Sequence, residues 1–159
     1  MRIISTPPAP TGLTRTLFRL PIQLYRWRLG WLLGKRFVLV QHRGRNSGLR
    51  RRVVLEVIDI DPQTTAIIVA SGYGARSHWY RNLRCEPEAT IQLGNRRTRA
   101  RTSFPSTAEG GLIMARYASR YPRTAKRLCR FMGFAVDGST DDFTQVGENI
   151  RFVRLTPQN

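Results

Sequence analysis

Apolar residues run in short blocks through the middle of the chain, and turn-forming residues punctuate the blocks at close intervals. Lys35–Arg43 and Arg51–Ile60 are rich in β-branched and aromatic positions and predict two strands. Asp61-Pro62-Gln63-Thr64 predicts a polar turn into a third, largely buried strand over Thr65–Ser71. That connection is too short for a crossover helix, so the three strands read as an antiparallel meander. Ala89–Leu93 and Arg96–Ser103 straddle Gly94-Asn95, a two-residue hairpin signal, and Asn149–Leu155 supplies a sixth strand.

Helical spacing appears between these strands. Ser77 can cap a short helix over His78–Cys85, stopped before Pro87, with Trp79 and Leu83 on one face. Ser106 and Glu109 form a capping box that opens a second helix, in which Leu112, Ala115 and Ser119 share a face. Pro122 interrupts it. Beyond the proline, Ala125, Leu128, Cys129 and Met132 recur at helical spacing as a core stripe, with Lys126, Arg127 and Arg130 turned outward. Asp137, Asp141 and Asp142 mark an irregular acidic segment. At the other end, Pro7, Pro8 and Pro10 make residues 1–12 a mobile tail. Residues 13–33 interleave Trp27, Trp31 and other apolar residues with Arg15, Arg19, Arg26 and Arg28. This amphipathic N-terminal helix fits either packing across one end of the domain or lying at an anionic headgroup interface. Together these elements predict a mainly antiparallel β fold: a six-stranded barrel with an N-terminal helix and peripheral helices, forming one domain over residues 13–159.

Composition narrows the partner. The 159 residues suit one domain with one site, and a 41% hydrophobic content argues against disorder. Net charge is +17, which calls for an anionic partner: nucleic acid, an anionic membrane surface, or a small ligand carrying phosphate and carboxylates. Only Lys35 and Lys126 among the 27 cations are lysine, a bias that a GC-rich genome also produces. Cys85, Cys129, His42 and His78 have no metal-site spacing, so no metal is expected and both thiols read as free. No secretory signal is evident, and a cytoplasmic location is expected. No Ser/His/Asp set or acidic pair stands out, so an enzyme built on this chain would draw its reactivity from a cofactor.

The densest chemistry lies between the first two strands. Arg43, Arg45, Arg50, Arg51 and Arg52 surround Gly44, Asn46, Ser47 and Gly48, giving five guanidinium groups within ten residues. Glycines permit positive φ, Ser47 offers a hydroxyl, and arginine forks match phosphate or carboxylate, so the tip suits an anion. A solubilising turn is the competing reading. Ser71-Gly72-Tyr73-Gly74 ahead of the His78 helix is a second glycine-containing loop, by itself no more than an ordinary strand-to-helix turn.

Gly44-Arg45-Asn46-Ser47-Gly48, Arg51, Leu55, Val69-Ala70-Ser71-Gly72, Trp79-Tyr80-Arg81-Asn82-Leu83 and Pro87, in that order and spacing, resemble the deazaflavin-dependent nitroreductase family of actinobacteria. The resemblance spans roughly Phe18 to Leu155. It implies a split β-barrel of the flavin-binding type and hydride transfer from reduced coenzyme F-420, a deazaflavin, to an organic acceptor such as a quinone or nitro compound. It further implies that Arg45, Asn46, Ser47, Gly48 and Arg51 grip the anionic tail. Ala70, Ser71, Gly72, Tyr73 and Gly74, with Trp79, Tyr80, Asn82 and Leu83, would line the ring. Tyr80, Tyr117 and Tyr121 are the candidate substrate-facing groups. Two positions depart from the family pattern, Asn46 where a basic residue is common and Val54 where proline is. Of the tyrosines that face nitroimidazoles in that family, only Tyr121 has a counterpart, with Thr124 where another is expected, which makes a quinone the safer acceptor. Flavin mononucleotide is the alternative cofactor. A nucleic-acid-binding barrel and a noncatalytic deazaflavin-binding protein are the alternative functions.

Overall fold

The computed structural model of the chain describes residues 1–4 and 34–158. The predicted N-terminal helix over residues 13–33 lies outside the described residues. Its core is a closed antiparallel barrel of β2 (Phe37–Arg43), β3 (Arg50–Ile60), β4 (Ile67–Ser71), β5 (Glu88–Leu93), β6 (Arg96–Ser103) and β8 (Arg151–Pro157). The order around the barrel is β2-β3-β4-β8-β6-β5, closing back onto β2 through pairs such as Val40 with Ile91. The six predicted strands are those six. β3 belongs to two walls, pairing with β2 over Arg50–Glu56 and with β4 from Val57, and a register shift between Val57 and Asp59 bends it between them.

Alternation sorts the barrel interior from its surface. Val38 and Val40 of β2, Ile67 and Val69 of β4, and Val153 and Leu155 of β8 point inward and are almost wholly buried. Thr65, predicted as the first residue of β4, sits in the preceding turn with φ +59°. Asp61 organises that turn, its carboxylate accepting from the Gln63 and Thr64 amides while its carbonyl accepts from Thr65. A β-branched residue in the left-handed region is tolerated because those bonds fix the loop around it.

Among the described residues four α-helices complete the fold: α1 (His78–Cys85), α2 (Thr107–Arg120), α3 (Pro122–Phe131) and α4 (Thr140–Asn149). α1 has the predicted bounds and packs Trp79, Tyr80 and Leu83 against the barrel core. The Ser106–Glu109 capping box opens α2 with both reciprocal bonds in place. The buried face of α2 differs from the predicted one: Leu112 is 67% exposed and Ser119 is exposed, while Gly110, Ile113, Met114, Tyr117 and Ala118 face inward. The reason is α4, which replaces the acidic irregular segment expected there. Ser139 caps α4 by accepting from the Asp142 amide, Asp141 and Asp142 occupy its positive first turn, and Phe143, Val146 and Ile150 enter the core. α2 and α4 cross with Gly110 against Gly147, so closely that a Cβ on Gly147 would lie 2.3 Å from the Gly110 carbonyl oxygen. The stripe of α3 is the predicted one, Ala125, Cys129 and Met132 being buried. Of the tail expected over residues 1–12, residues 1–4 are held. β1 (Arg2–Ile3) pairs with β7 (Phe134–Ala135), and the Met1 ammonium pairs with Asp142.

Candidate functional site

The β2–β3 connection is a compact loop that the sequence closes on itself. The Gly44 amide donates to the Leu49 carbonyl and the Gly48 amide to the Gly44 carbonyl, both at 2.8 Å. Gly48 adopts φ +69°, which an L side chain would strain, and a Cβ on Gly44 would lie 2.6 Å from the Ser47 hydroxyl oxygen. Ser47 and Gly48 thus shape the turn, Ser47 Oγ accepting from the Leu49 amide at 3.2 Å. The Asn46 and Ser47 amides have no acceptor among the described residues. Arg45, Arg50, Arg51 and Arg52 form no ion pair among the described residues, whereas Arg43 lies 3.8 Å from Glu86. Donors and positive charge therefore stand unneutralised at one end of the barrel.

That tip is fastened to α1 by Asn82. The Oδ1 of Asn82 accepts from the Arg45 amide at 3.1 Å and from the Arg45 guanidinium at 2.8 Å. Its side-chain nitrogen lies 3.1 Å from Nδ1 of His42, on the adjoining strand. Asn82 and His42 are buried, at 4% and 6% exposure. Desolvation by burial, with the positive charge of Arg51 added, pulls the His42 pKa down to about 4, so the ring is neutral at ordinary pH. Asn82, which the resemblance assigns to the cofactor ring, has its polar atoms bonded to Arg45 and His42. His42 escaped the sequence reading, although the inward series Val38, Val40, His42 was there to show it.

The second loop follows β4. Ser71 is buried, its hydroxyl donating to the Gly74 carbonyl at 2.7 Å and lying 2.7 Å from the Ser77 hydroxyl. Ser77 occupies the N-cap position of α1, yet its side chain makes no capping bond. Gly74 has φ +60°, and the Phe131 ring of α3 lies 3.2 Å from where a Cβ on Gly72 would stand. Ala70, Gly72, Tyr73 and Gly74 are half-buried. Trp79 and Tyr80 are buried edge to face, with Tyr80 also against Phe104. Leu83, expected to line the ring, has no exposed surface and seats α1 on the barrel core.

The structure separates the three tyrosines. Tyr80 belongs to the barrel core, Tyr117 is buried among the helices, and Tyr121, 5.7 Å from the Tyr117 ring, is exposed. Burial pushes the Tyr117 hydroxyl up to about 12 and the Cys129 thiol up to about 11, so neither ionises near neutrality. A separate cleft of about 280 Å³ lies between the β3–β4 turn and α2, lined by Asp59, Asp61, Ile113, Arg116, Arg120 and Arg154 among others. Asp59 already answers two of those arginines, at 3.5 Å from Arg116 and 3.0 Å from Arg120. No group of three or more potential metal ligands exists among the described residues. No helix among them is long and apolar enough to cross a membrane.

Comparison with known proteins agrees with this architecture. The family described as F420H(2)-dependent quinone reductase matches residues 19–127. A curated protein of Mycobacterium tuberculosis named "Putative F420H(2)-dependent quinone reductase Rv3178" is 33% identical over 86 residues, which are 53% of this chain and 71% of that protein. A solved F420-H2 dependent reductase, FDR-A, superposes with a TM-score of 0.50 at 19% identity, covering 77% of this chain and 96% of its own. The conserved hypothetical protein Rv2991 of Mycobacterium tuberculosis superposes at 0.55 with 14% identity, covering 84% and 80%. The two structural likenesses bear on the fold, that of the split barrels.

Proposed function

The chain belongs to the F420H(2)-dependent quinone reductase family and is thus an oxidoreductase that uses coenzyme F-420, and on that premise we propose that it reduces a quinone at the mouth formed by the tip and α1. The observation that carries this reading is the pair of hydrogen bonds that Arg45 donates to Asn82, which ties the cationic tip to the helix bearing Trp79 and Tyr80.

The residues fit the cofactor's chemistry. Its tail carries a phosphodiester and carboxylates, and the tip offers the Asn46 and Ser47 amides together with Arg45 and Arg51, none of them neutralised by an acid among the described residues. Bound reduced deazaflavin supplies the hydride. The chain's part is binding and orientation. Arg45 and Arg51 hold the tail, while Asn82 keeps Arg45 from swinging free and so lowers the entropy lost on binding. The half-buried loop from Ala70 to Gly74 offers backbone beside the ring, and Trp79 and Tyr80 form a rigid apolar backing that excludes water. The quinone takes up a hydride and a proton to become a hydroquinone. Tyr121 is the exposed tyrosine of the three candidates and the one we assign to meet an acceptor. Residues 13–33 would bring the enzyme to an anionic membrane surface, where apolar quinones dissolve.

Titration of the purified protein with coenzyme F-420 and with flavin mononucleotide, followed by turnover of the reduced deazaflavin with a quinone and with a nitro compound, tests the reading. Micromolar deazaflavin binding and quinone-dependent oxidation are expected. Preference for flavin mononucleotide, or binding without turnover, would overturn it. Flotation with anionic liposomes, lost on deleting residues 1–33, tests the membrane contact.

A further inference from the structure

The Arg45 guanidinium is held by Asn82, and what holds Asn82 is a buried histidine. Asn82 Oδ1 accepts two donors from Arg45, at 3.1 Å from the amide and 2.8 Å from the guanidinium. An amide flip would put the NH2 group against both donors, so the carbonyl must face Arg45 and the NH2 group must face His42. That orientation requires an unprotonated Nδ1 on His42, 3.1 Å away, with the ring proton on Nε2. We propose that His42 is a positioning residue for the anion-gripping tip: its neutral ring fixes the Asn82 amide, which in turn fixes Arg45.

Geometry makes the chain of contacts directional. His42 and Arg51 are register partners across β2 and β3, so the histidine sits between the tip and the barrel interior beneath it. Both His42 and Asn82 are buried, and water has little access to replace either bond. A protonated His42 would present N–H to the Asn82 NH2 group and place a cation beside Arg51, and burial with that arginine resists this outcome. Among the described residues His42 makes no hydrogen bond to Arg45 itself, so its effect on the anion must pass through Asn82. The inference rests on the function proposed above only where it concerns the cofactor; the positioning of Arg45 can be read without one.

The test uses His42→Leu, which fills the inward position without an acceptor, and His42→Asn, whose Oδ1 can stand near the place of Nδ1. Loss of one buried hydrogen bond predicts that in His42→Leu the Arg45 amide exchanges with solvent about threefold to tenfold faster, and that coenzyme F-420 binds weaker by about the same factor, with kcat at saturation little changed. His42→Asn should restore both. In an Arg45→Ala background, His42→Leu should add nothing to the loss of affinity. Unchanged Arg45 exchange in folded His42→Leu, or an equal loss in the Arg45→Ala background, would overturn the proposal. If His42→Leu does not fold, nitrogen NMR of the unaltered protein decides: a ring protonated on Nε2 with Nδ1 accepting supports it, and the opposite tautomer rejects it. Should the protein bind no deazaflavin, the function fails while exchange and tautomer still judge His42.

Discussion

Gly48 at the hairpin tip and Gly147 in α4 occupy regions that use the same residue type for different ends. Gly48 is exposed, takes φ +69°, and has open space around the place of a Cβ. Gly147 is buried within a helix, where a Cβ would lie 2.3 Å from the Gly110 carbonyl oxygen and 2.7 Å from the Met114 Cβ. At the tip glycine permits a backbone path and leaves the donors outward; at the crossing it permits two helices to touch. The tip is a few polar bonds around unneutralised charge, and the crossing is dense apolar packing. Binding should therefore depend on the first region and stability on the second.

The largest test of that division removes the tip's charge. Arg45→Ala with Arg51→Ala should weaken coenzyme F-420 by about 3 kcal/mol or more, roughly hundredfold at least, because charge-assisted bonds contribute about 1.5 to 3 kcal/mol each. Calorimetric titration measures it, and the melting temperature should hardly move. A comparable drop in Tm would erase the division. Gly147→Ala should do the reverse, destabilising by about 3 kcal/mol through overpacking against Gly110 and Met114 while the folded fraction keeps its affinity. Urea unfolding with cofactor titration checks both.

Acid reaches the tip through its buried support. His42 has an ordinary value of 6.5 and a folded value of about 4, so the unfolded chain binds the proton more readily. The His42 contribution is fully present above pH 6.5, falls as pH drops towards 4, and levels off below, with a loss of up to about 3 kcal/mol from this group. The His42→Asn protein should lack that part of the slope in urea melts taken across the range. The smallest effect is expected from Gly48→Ala, about 1 kcal/mol from the left-handed backbone, with no clash to add to it. An effect as large as that at Gly147 would mean that the tip, too, is packed rather than merely turned.

What the chain disclosed in advance follows the same division. Local signals were readable: the Gly94-Asn95 turn, with Gly94 at φ +58°, the Ser106–Glu109 box, and the bounds of α1 all depend on residues close in sequence. The barrel followed from short strands joined by short turns. α4 was not legible because Thr140, Thr144 and Gly147 are weak helix formers whose effect outweighs the Ser139 cap until Gly147 packs on Gly110. That same crossing set the buried face of α2 and left Leu112 outside. At the site, motif order located the tip and α1, but nothing local joins Arg45 to Asn82 or Asn82 to His42, which lie 37 and 40 residues apart.

The position of β8 carries a kinetic consequence. It lies between β4 and β6 in the barrel, pairing Val69 with Val153 and Thr102 with Leu155, so β4 must wait for a partner some eighty residues downstream. On the ribosome, the β2–β3–β4 meander and α1 emerge long before that partner. Loop-closure entropy makes the last pairing the slow one. The pieces that hold Arg45 are thus synthesised together and early, while the wall that seals the barrel behind them is inserted last, and until then β4 and β6 are open edges exposed to aggregation.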